Sequence, residues 1–415
     1  MANKIFELIN KNKKIIENLS YLTIIQIISM LLPFITYPYL IKVLGLSLYG
    51  KVMLSQAIVS YVAIIVNFGF NISATKSVSE HLSDKDKTNE ICSAIFCAKT
   101  ILWIAATACY LLIVFLFVND NMDKILYLTA YTLTFNEYLV CQWFFQAKEE
   151  LKIIAVLSVV SKILNVFLVF AFIHNASDYI YVSLLTGCCY LFTGAYCTFL
   201  MFTRHVSLVK PKLSSIVSVT KDSLNLFLTS AIISIKNKLD VVLIGAFMSS
   251  EYVALYDFAQ KILNLALMPV TIINNSVFAK MTKSKDMLFL KKVVLFSFFF
   301  TLAYVTLAQP LIPFIAKLLF VANEQSIFLT RVMLISVVIF SISLPLAQNG
   351  LIVFGYTSLH LLGMISTTLV YLCVIGIGYY LGCLVQLHFF LYTSLAIYLY
   401  EMSYRLLLCR WKKII

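Results

Sequence analysis

Charge is what this 415-residue sequence has least of: Asp, Glu, Lys and Arg make up 12% of it, against about 25% in an ordinary soluble domain. With 61% hydrophobic residues and a mean hydropathy of +0.93, that shortage excludes a water-soluble globular chain. No GxxxxGK[ST] run occurs, so the sequence contains no phosphate-loop motor. CxxC spacing is absent too, and the ten cysteines, mostly inside apolar stretches, read as small buried residues rather than disulfides or metal ligands. His81, His174, His205, His360 and His388 fall in loops or near the ends of apolar stretches, and no paired carboxylates support catalysis. The longest mid-chain hydrophilic segment, Arg204 to Ser223, is too short for a soluble catalytic domain.

What is present is a series of apolar stretches at 15–41, 53–75, 91–117, 124–146, 153–173 and 180–203, then 224–247, 255–278, 293–318, 325–347, 359–382 and 389–407. Each is long enough to cross a hydrocarbon core of about 30 Å as a helix, and their aliphatic continuity argues against barrel strands. The expected architecture is an all-α integral membrane protein of twelve transmembrane helices. The segment 204–223, with Pro211, divides these six and six, giving bundles 1–210 and 211–415 related as parallel repeats. A residue trace agrees: Gln56, Ser60, Asn67 and Asn71 have polar counterparts at a constant offset in Gln260, Asn264, Thr271 and Asn275. Steps of four and seven keep each set on one helical face. Such amides either glue helices together or line a cavity, and the matched pair of stripes favours the cavity.

The net charge of +13 has an explanation that needs no nucleic acid. Twenty-two of the 32 Lys and Arg fall in the segments 1–14, 76–90, 148–152, 204–223, 280–292 and 405–413, while only Lys42, Lys51, Lys124 and Lys317 fall on the opposite side. The positive-inside rule then predicts both termini in the cytoplasm. The first apolar stretch runs through Pro33 and Pro38 without a cleavage pattern and is expected to stay as the first helix.

The remaining cations lie inside apolar stretches: Lys99, Lys162, Lys236, Lys238, Lys261 and Arg331, accompanied by Glu137, Asp240 and Asp257. A charge at the bilayer centre costs about 3 kcal/mol on insertion scales, so such residues pair, snorkel or face water. Lys99 and Arg331 are near enough to span ends to snorkel, Lys162 and Glu137 could neutralise each other, and Asp257 and Lys261 are spaced for a local pair. The face of Asp257 and Lys261 also carries Gln260 and Asn264. Lys236, Asn237 and Asp240 share a face, with Asp240 the expected partner of Lys236, whereas Lys238 points about 200° from Lys236. Both lysines meet one cavity only if the helix breaks there. A positive, hydrated chamber suits an anionic passenger, phosphate first.

The run from Pro38 to Ser79, PYLIKVLGLSLYGKVMLSQAIVSYVAIIVNFGFNISATKSVS, resembles the N-terminal signature of bacterial O-antigen flippases, the Wzx-type polysaccharide transporters. Leu44-Gly45, Tyr49-Gly50, Gln56 to Tyr61, and Gly69-Phe70-Asn71 with Ser73 and Ala74 carry it; Lys238-Leu239-Asp240 with Gly245, then Tyr256 to Lys261, extend it. The resemblance implies two six-helix bundles around a central cavity, as in the multidrug extruders and the lipid II flippase of the same superfamily. It implies movement of an undecaprenyl-diphosphate-linked oligosaccharide across the bacterial inner membrane by alternating access, with no cofactor or metal and with the pathway's polymerase and chain-length regulator as partners. In that picture Lys236, Lys238, Lys261, Lys162, Lys99 and Arg331 form the cationic cavity. Gln56, Ser60, Asn67, Asn71, Asn237, Gln260 and Asn264 line it, and Asp240, Asp257 and Glu137 are candidates for ion coupling. Rival expectations are a multidrug extruder, which calls for an acidic cavity; a polysaccharide polymerase or sugar transferase, which calls for a large outward loop; and a structural scaffold, which has no use for so many buried charges.

Overall fold

The computed structural model describes residues 27–28, 31–321 and 323–415, except the side chains of Asn237 and Ala279. Among the described residues there are helices and turns and no strand, the all-helical membrane architecture expected. Nine helices among the described residues are long and apolar enough to cross a bilayer. Three expected spans are not among the nine. The first, 15–41, lies mostly outside the described residues; the fourth, 124–146, is interrupted; the twelfth is the helix Leu387–Trp411, which carries Glu401, Arg405 and Arg410.

The chain divides into two compact units, one of Ser55–Ala231 with the chain up to Gly45, the other of Leu46–Leu54 with Ile232–Ile415. α1 (Pro33–Asn67) bends at Gly45, whose φ of 74° and ψ of 167° fit no L side chain. A loop was expected between 41 and 53, yet the helix resumes at once. It stops at Phe68 and Gly69, both at positive φ, and continues as α2 (Phe70–His81). Gly69 is required twice over, because a Cβ there would sit 2.8 Å from Leu226 Cβ and from Phe227 N.

In the first unit α3 (Lys85–Phe117) starts from Asp84, which accepts from Lys87 N at 3.0 Å. The fourth expected span is a broken rod: α4 (Asn121–Tyr131), a tight turn at Thr132–Thr134, α5 (Phe135–Leu139), a non-helical step at Val140 and Cys141, and α6 (Gln142–Ala147). Interrupted backbone inside a membrane needs protein partners. α7 (Leu151–Phe172) and α8 (Tyr181–Arg204) follow, and α8 supplies those partners: Thr198 Oγ1 donates to Leu139 O at 2.6 Å. Gly187 and Gly194 let the rod come close, since a Cβ would meet Thr132 Oγ1 at 1.9 Å or Leu139 Cβ at 2.6 Å. Trp143, Phe144 and Phe145 anchor the rod in a core with Phe70, Ile95, Ile154 and Met201.

α9 (Leu213–Phe247) and α10 (Ser250–Ser284), of 35 residues each, span about 50 Å at 1.5 Å per residue and outrun the hydrocarbon thickness. In the second unit α10 is followed by α11 (Met287–Ala308), α12 (Ile312–Leu318), α13 (Glu324–Pro345), α14 (Thr357–Tyr380) and α15 (Leu387–Trp411). Pro345, lacking an N–H, ends α13, and the chain widens into a π-helical turn at Leu346–Ile352. Gly50 is close enough to Ser250 that a Cβ would meet its carbonyl oxygen at 1.7 Å. The element order repeats between halves: Asp84 and Asp286 cap α3 and α11, Asp120 and Asn323 cap α4 and α13, and an interruption then a positive φ (Glu149, Gly355) precede α7 and α14.

Candidate functional site

Each unit gathers ionisable groups where its helices are interrupted or crossed by polar side chains. In the first, Asn67 and Asn71 flank the break at Phe68–Gly69, and Glu137 precedes the break at Val140–Cys141. Asn67 Nδ2 donates to Glu137 Oε2 at 2.5 Å and Asn136 Nδ2 to Oε1 at 3.0 Å, fixing the carboxylate. Glu137, Asn71 and Lys162 share a cavity of about 190 Å³ with Asn136, Gln142, Ser158, Ser161 and Tyr190. Lys99, 2% exposed, is buried beside it, within electrostatic range of Glu137 and of the Cys141 and Cys197 thiols. Gln56 Nε2 donates to Ser183 Oγ at 3.1 Å and Ser60 Oγ to Ala57 O at 2.6 Å, so the upper part of this polar stripe satisfies the protein itself.

The second unit holds four polar constellations among the described residues. Tyr49, Asp257 and Lys261 form a triangle: Tyr49 OH donates to Asp257 Oδ2 at 3.1 Å, Lys261 Nζ donates to Tyr49 OH at 3.0 Å, and Lys261 pairs with Asp257 one turn away. Lys261 also reaches Met53 Sδ at 3.9 Å. The signature residues Tyr49 and Gly50 therefore have physical work, one bridging this pair and the other clearing Ser250. Asp240 is 4% exposed and accepts from Tyr256 OH at 2.6 Å, Tyr371 OH at 2.5 Å and Ser394 Oγ at 3.2 Å.

Lys236 donates to Glu401 Oε2 at 3.3 Å. The expected Lys236–Asp240 pairing is thus corrected. Three hydroxyls hold Asp240, whereas Glu401 of α15 takes the lysine. Glu401 also accepts from Arg405 Nη2, and Arg405 Nη1 donates to Ser343 Oγ at 2.7 Å and to Ser343 O at 3.3 Å, just before the π-helical turn. Arg405 was expected among the cytoplasmic-side cations; it lies inside α15 and is buried, because the helix runs on to Trp411 and Glu401 compensates its charge. Of the alternatives left open for the two lysines, a local break near 236–240 is not the one observed: α9 is continuous there, and Lys238 is exposed on a different face. The side chain of Asn237 lies outside the described residues. Gln260 is half-buried, while Asn264 and Arg331 are exposed.

Glu401 and Arg405 escaped sequence reading, though their i, i+4 spacing of opposite charges in a predicted span was the available signal. An amide cluster escaped as well. Asn349 Nδ2 donates to Asn274 Oδ1 at 2.6 Å, Asn274 Nδ2 to Gln348 Oε1, and Gln348 Nε2 to Asn275 Oδ1 at 3.4 Å, tying the π turn to α10.

These features define a multi-pass, all-helical membrane protein with buried ionisable side chains in both halves. The sequence matches the family described as polysaccharide biosynthesis protein over residues 15–285. The chain belongs to that family. A curated relative from Escherichia coli (strain K12), named "Putative O-antigen transporter", is 26% identical over 61% of this chain and 62% of its own length, so the match spans under two thirds of that relative. Among solved structures, an inward-facing multidrug resistance MATE family transporter of the MOP superfamily covers 95% of this chain and 97% of its own, with a TM-score of 0.67 at 16% identity. The lipid II flippase MurJ in an inward closed conformation covers 95% of this chain and 87% of its own, with a TM-score of 0.71 at 12% identity. At those identities the likeness speaks to fold, which the two transporters and this chain share.

Proposed function

We propose that the chain is a flippase for undecaprenyl-diphosphate-linked saccharide repeat units, carrying them from the cytoplasmic to the outer leaflet of the bacterial inner membrane by alternating access of bundles 1–210 and 211–415. The family and the curated O-antigen relatives support the substrate class. The observation that carries the reading is Lys236, a half-buried ammonium about two thirds of the way along the long helix α9, held on one side by Glu401. An ammonium has three donors, and the bond to Glu401 uses one. The others are available to a diphosphate oxygen. Lys261 is less free, with Asp257, Tyr49 and Met53 already around it, and joins only when that triangle opens. Lys99, Lys162, Lys238 and Arg331 supply background positive potential. Adding Glu401 and Arg405 leaves the excess of cations over acids inside the spans unchanged, which suits an anionic passenger better than the cations a multidrug extruder exports.

Glu137, Asp240 and Asp257 are the places for ion coupling: neutral hydrogen-bond donors hold the first two and tolerate a change in charge, while Asp257, paired with Lys261, is the one whose protonation would release a lysine. Both termini lie in the cytoplasm in this reading, and the polymerase and chain-length regulator of the pathway receive the product outside. The test is surface polysaccharide in a strain lacking its own flippase: Lys236→Ala is expected to lower it at least tenfold, with Lys236→Arg partly restoring it. Normal polymer from well-expressed Ala variants of Lys236, Lys238 and Lys261 alike would refute the reading.

A further inference from the structure

The cavity in the first unit has more hydrogen-bonding capacity than the unit uses. Its volume of about 190 Å³ is far above the roughly 10–15 Å³ that a single water needs on the same measure, so it has room for a small polar ligand the size of a pyranose ring. Ser161 lines it, is 3% exposed, and its hydroxyl has no partner among the described residues. Leaving such a group unsatisfied costs about 1–3 kcal/mol, so a ligand that bonds it is favoured. In the same wall the side chains of Asn71, Gln142, Ser158 and Tyr190 make no hydrogen bond among the described residues. Glu137, by contrast, is already oriented by Asn67 and Asn136, with acceptor capacity left on both oxygens.

The chemistry of this wall selects among ligands. Lys162 and the Glu137 carboxylate offset each other within this lining, so the wall has no net positive charge of its own with which to single out a phosphate. A resident metal is disfavoured because the described residues contain no group of three His, Cys, Asp or Glu able to hold one. An apolar ligand would strand the amides. A compact molecule offering several donors and acceptors around a ring fits: planar amides and a carboxylate pair with neighbouring hydroxyls, and the Tyr190 ring gives an apolar face for C–H groups. Two helix interruptions border the cavity, the setting in which membrane transporters place binding sites.

We propose that this cavity is a subsite for one neutral hexopyranose of the transported saccharide, with Glu137, Asn71, Gln142 and Ser161 bonding its hydroxyls. The assignment rests on the flippase reading and adds where a sugar, as opposed to the diphosphate, is recognised.

The test uses the full-length protein in lipid nanodiscs and a panel of methyl glycosides (glucose, galactose, mannose, rhamnose and N-acetylglucosamine), with saturation-transfer NMR reporting binding. At least one glycoside is expected to saturate in the millimolar range. Asn71→Leu, and the smaller change Ser161→Ala, are each expected to weaken it about tenfold, the size of one lost hydrogen-bonding group, while keeping the wild-type thermal midpoint. No saturable glycoside, equal binding by both variants, or a response only to sodium or potassium that disappears in Glu137→Gln would overturn the subsite. The outcomes separate from those of transport. Wild-type protein that restores surface polysaccharide but binds no glycoside removes the subsite alone. Glycoside binding without restoration, in a host making the same sugars, removes the flippase reading.

Discussion

Replacing Glu401 by Leu tests whether the buried network in the second unit is understood. Glu401 is the single acid shared by Lys236 and Arg405, and Arg405 is 6% exposed. Removing one partner of a buried pair strands the other charge at a cost of about 3–5 kcal/mol. Lys236 contributes much less, because its side chain is 24% exposed and exposed pairs are worth about 0–1 kcal/mol. At about 2–4 °C per kcal/mol for a unit of this size, Glu401→Leu should lower the thermal midpoint by about 6–20 °C. Lys236→Ala should lower it by no more than about 4 °C on the same scale. The double variant Glu401→Leu with Arg405→Met removes both buried charges together and should recover most of the loss. The assay is thermal unfolding of detergent-solubilised protein at one heating rate, since unfolding of such a protein is read as a rate. Glu401→Leu as stable as wild type, or a Glu401→Leu, Arg405→Met double variant as unstable as its two singles summed, would refute the reasoning.

Further predictions concern the backbone, topology and pH. Gly69→Ala should destabilise by about 2 kcal/mol or more, adding a left-handed φ penalty of about 1 kcal/mol to a clash with Leu226 and Phe227, whereas Gly376→Ala, with nothing within 4 Å, should be neutral or stabilising by up to about 1 kcal/mol; thermal half-lives compare them. On a cysteine-free background, single cysteines at the exposed positions Ser47 and Ser249 should react with an impermeant thiol reagent from outside, and those at Ser83 and Ser284 should not. Just beyond α8, His205 Nδ1 lies 2.7 Å from Lys148 Nζ; burial and the lysine charge depress its pKa below 6.5. Stability is then intact above the unfolded value and falls as pH drops through the lower folded one, so His205→Gln should flatten the acid side of a stability profile between pH 7 and 5.

Composition and apolar periodicity were enough to read the all-helical membrane fold, because a span is a property of every residue in it. Interruptions were harder. Nothing in the run from Thr132 to Cys141 forbids a helix by propensity; the break depends on Gly187, Gly194 and Thr198, fifty or so residues away, making room and supplying a donor. Gly45 and Gly69, in contrast, were visible as signature residues, and their positive φ explains why glycine stands there. At the candidate site, charged side chains were found by their cost in lipid, yet their partners were not. Asp240 and Lys236 share a helical face, and that proximity suggested a pair. Tertiary contacts from α10, α14 and α15 brought hydroxyls to one and Glu401 to the other. Helical geometry correctly separated Lys238 from Lys236, while the alternative of a broken helix does not hold in α9. Tyr190, Gln142 and Ser161 were unremarked because uncharged polar residues in apolar stretches carry no signal until a cavity gathers them.

The most direct measurement is lipid flipping by the purified chain in proteoliposomes that contain an undecaprenyl-diphosphate-linked oligosaccharide with a fluorescent sugar label. After an impermeant reagent quenches the outer leaflet, the wild-type protein is predicted to expose the protected inner pool within minutes, and Lys236→Ala is predicted to slow that exposure at least tenfold. An inner pool that stays protected with well-incorporated wild-type protein, across the labelled saccharides of its own pathway and with or without an imposed ion gradient, would contradict the account.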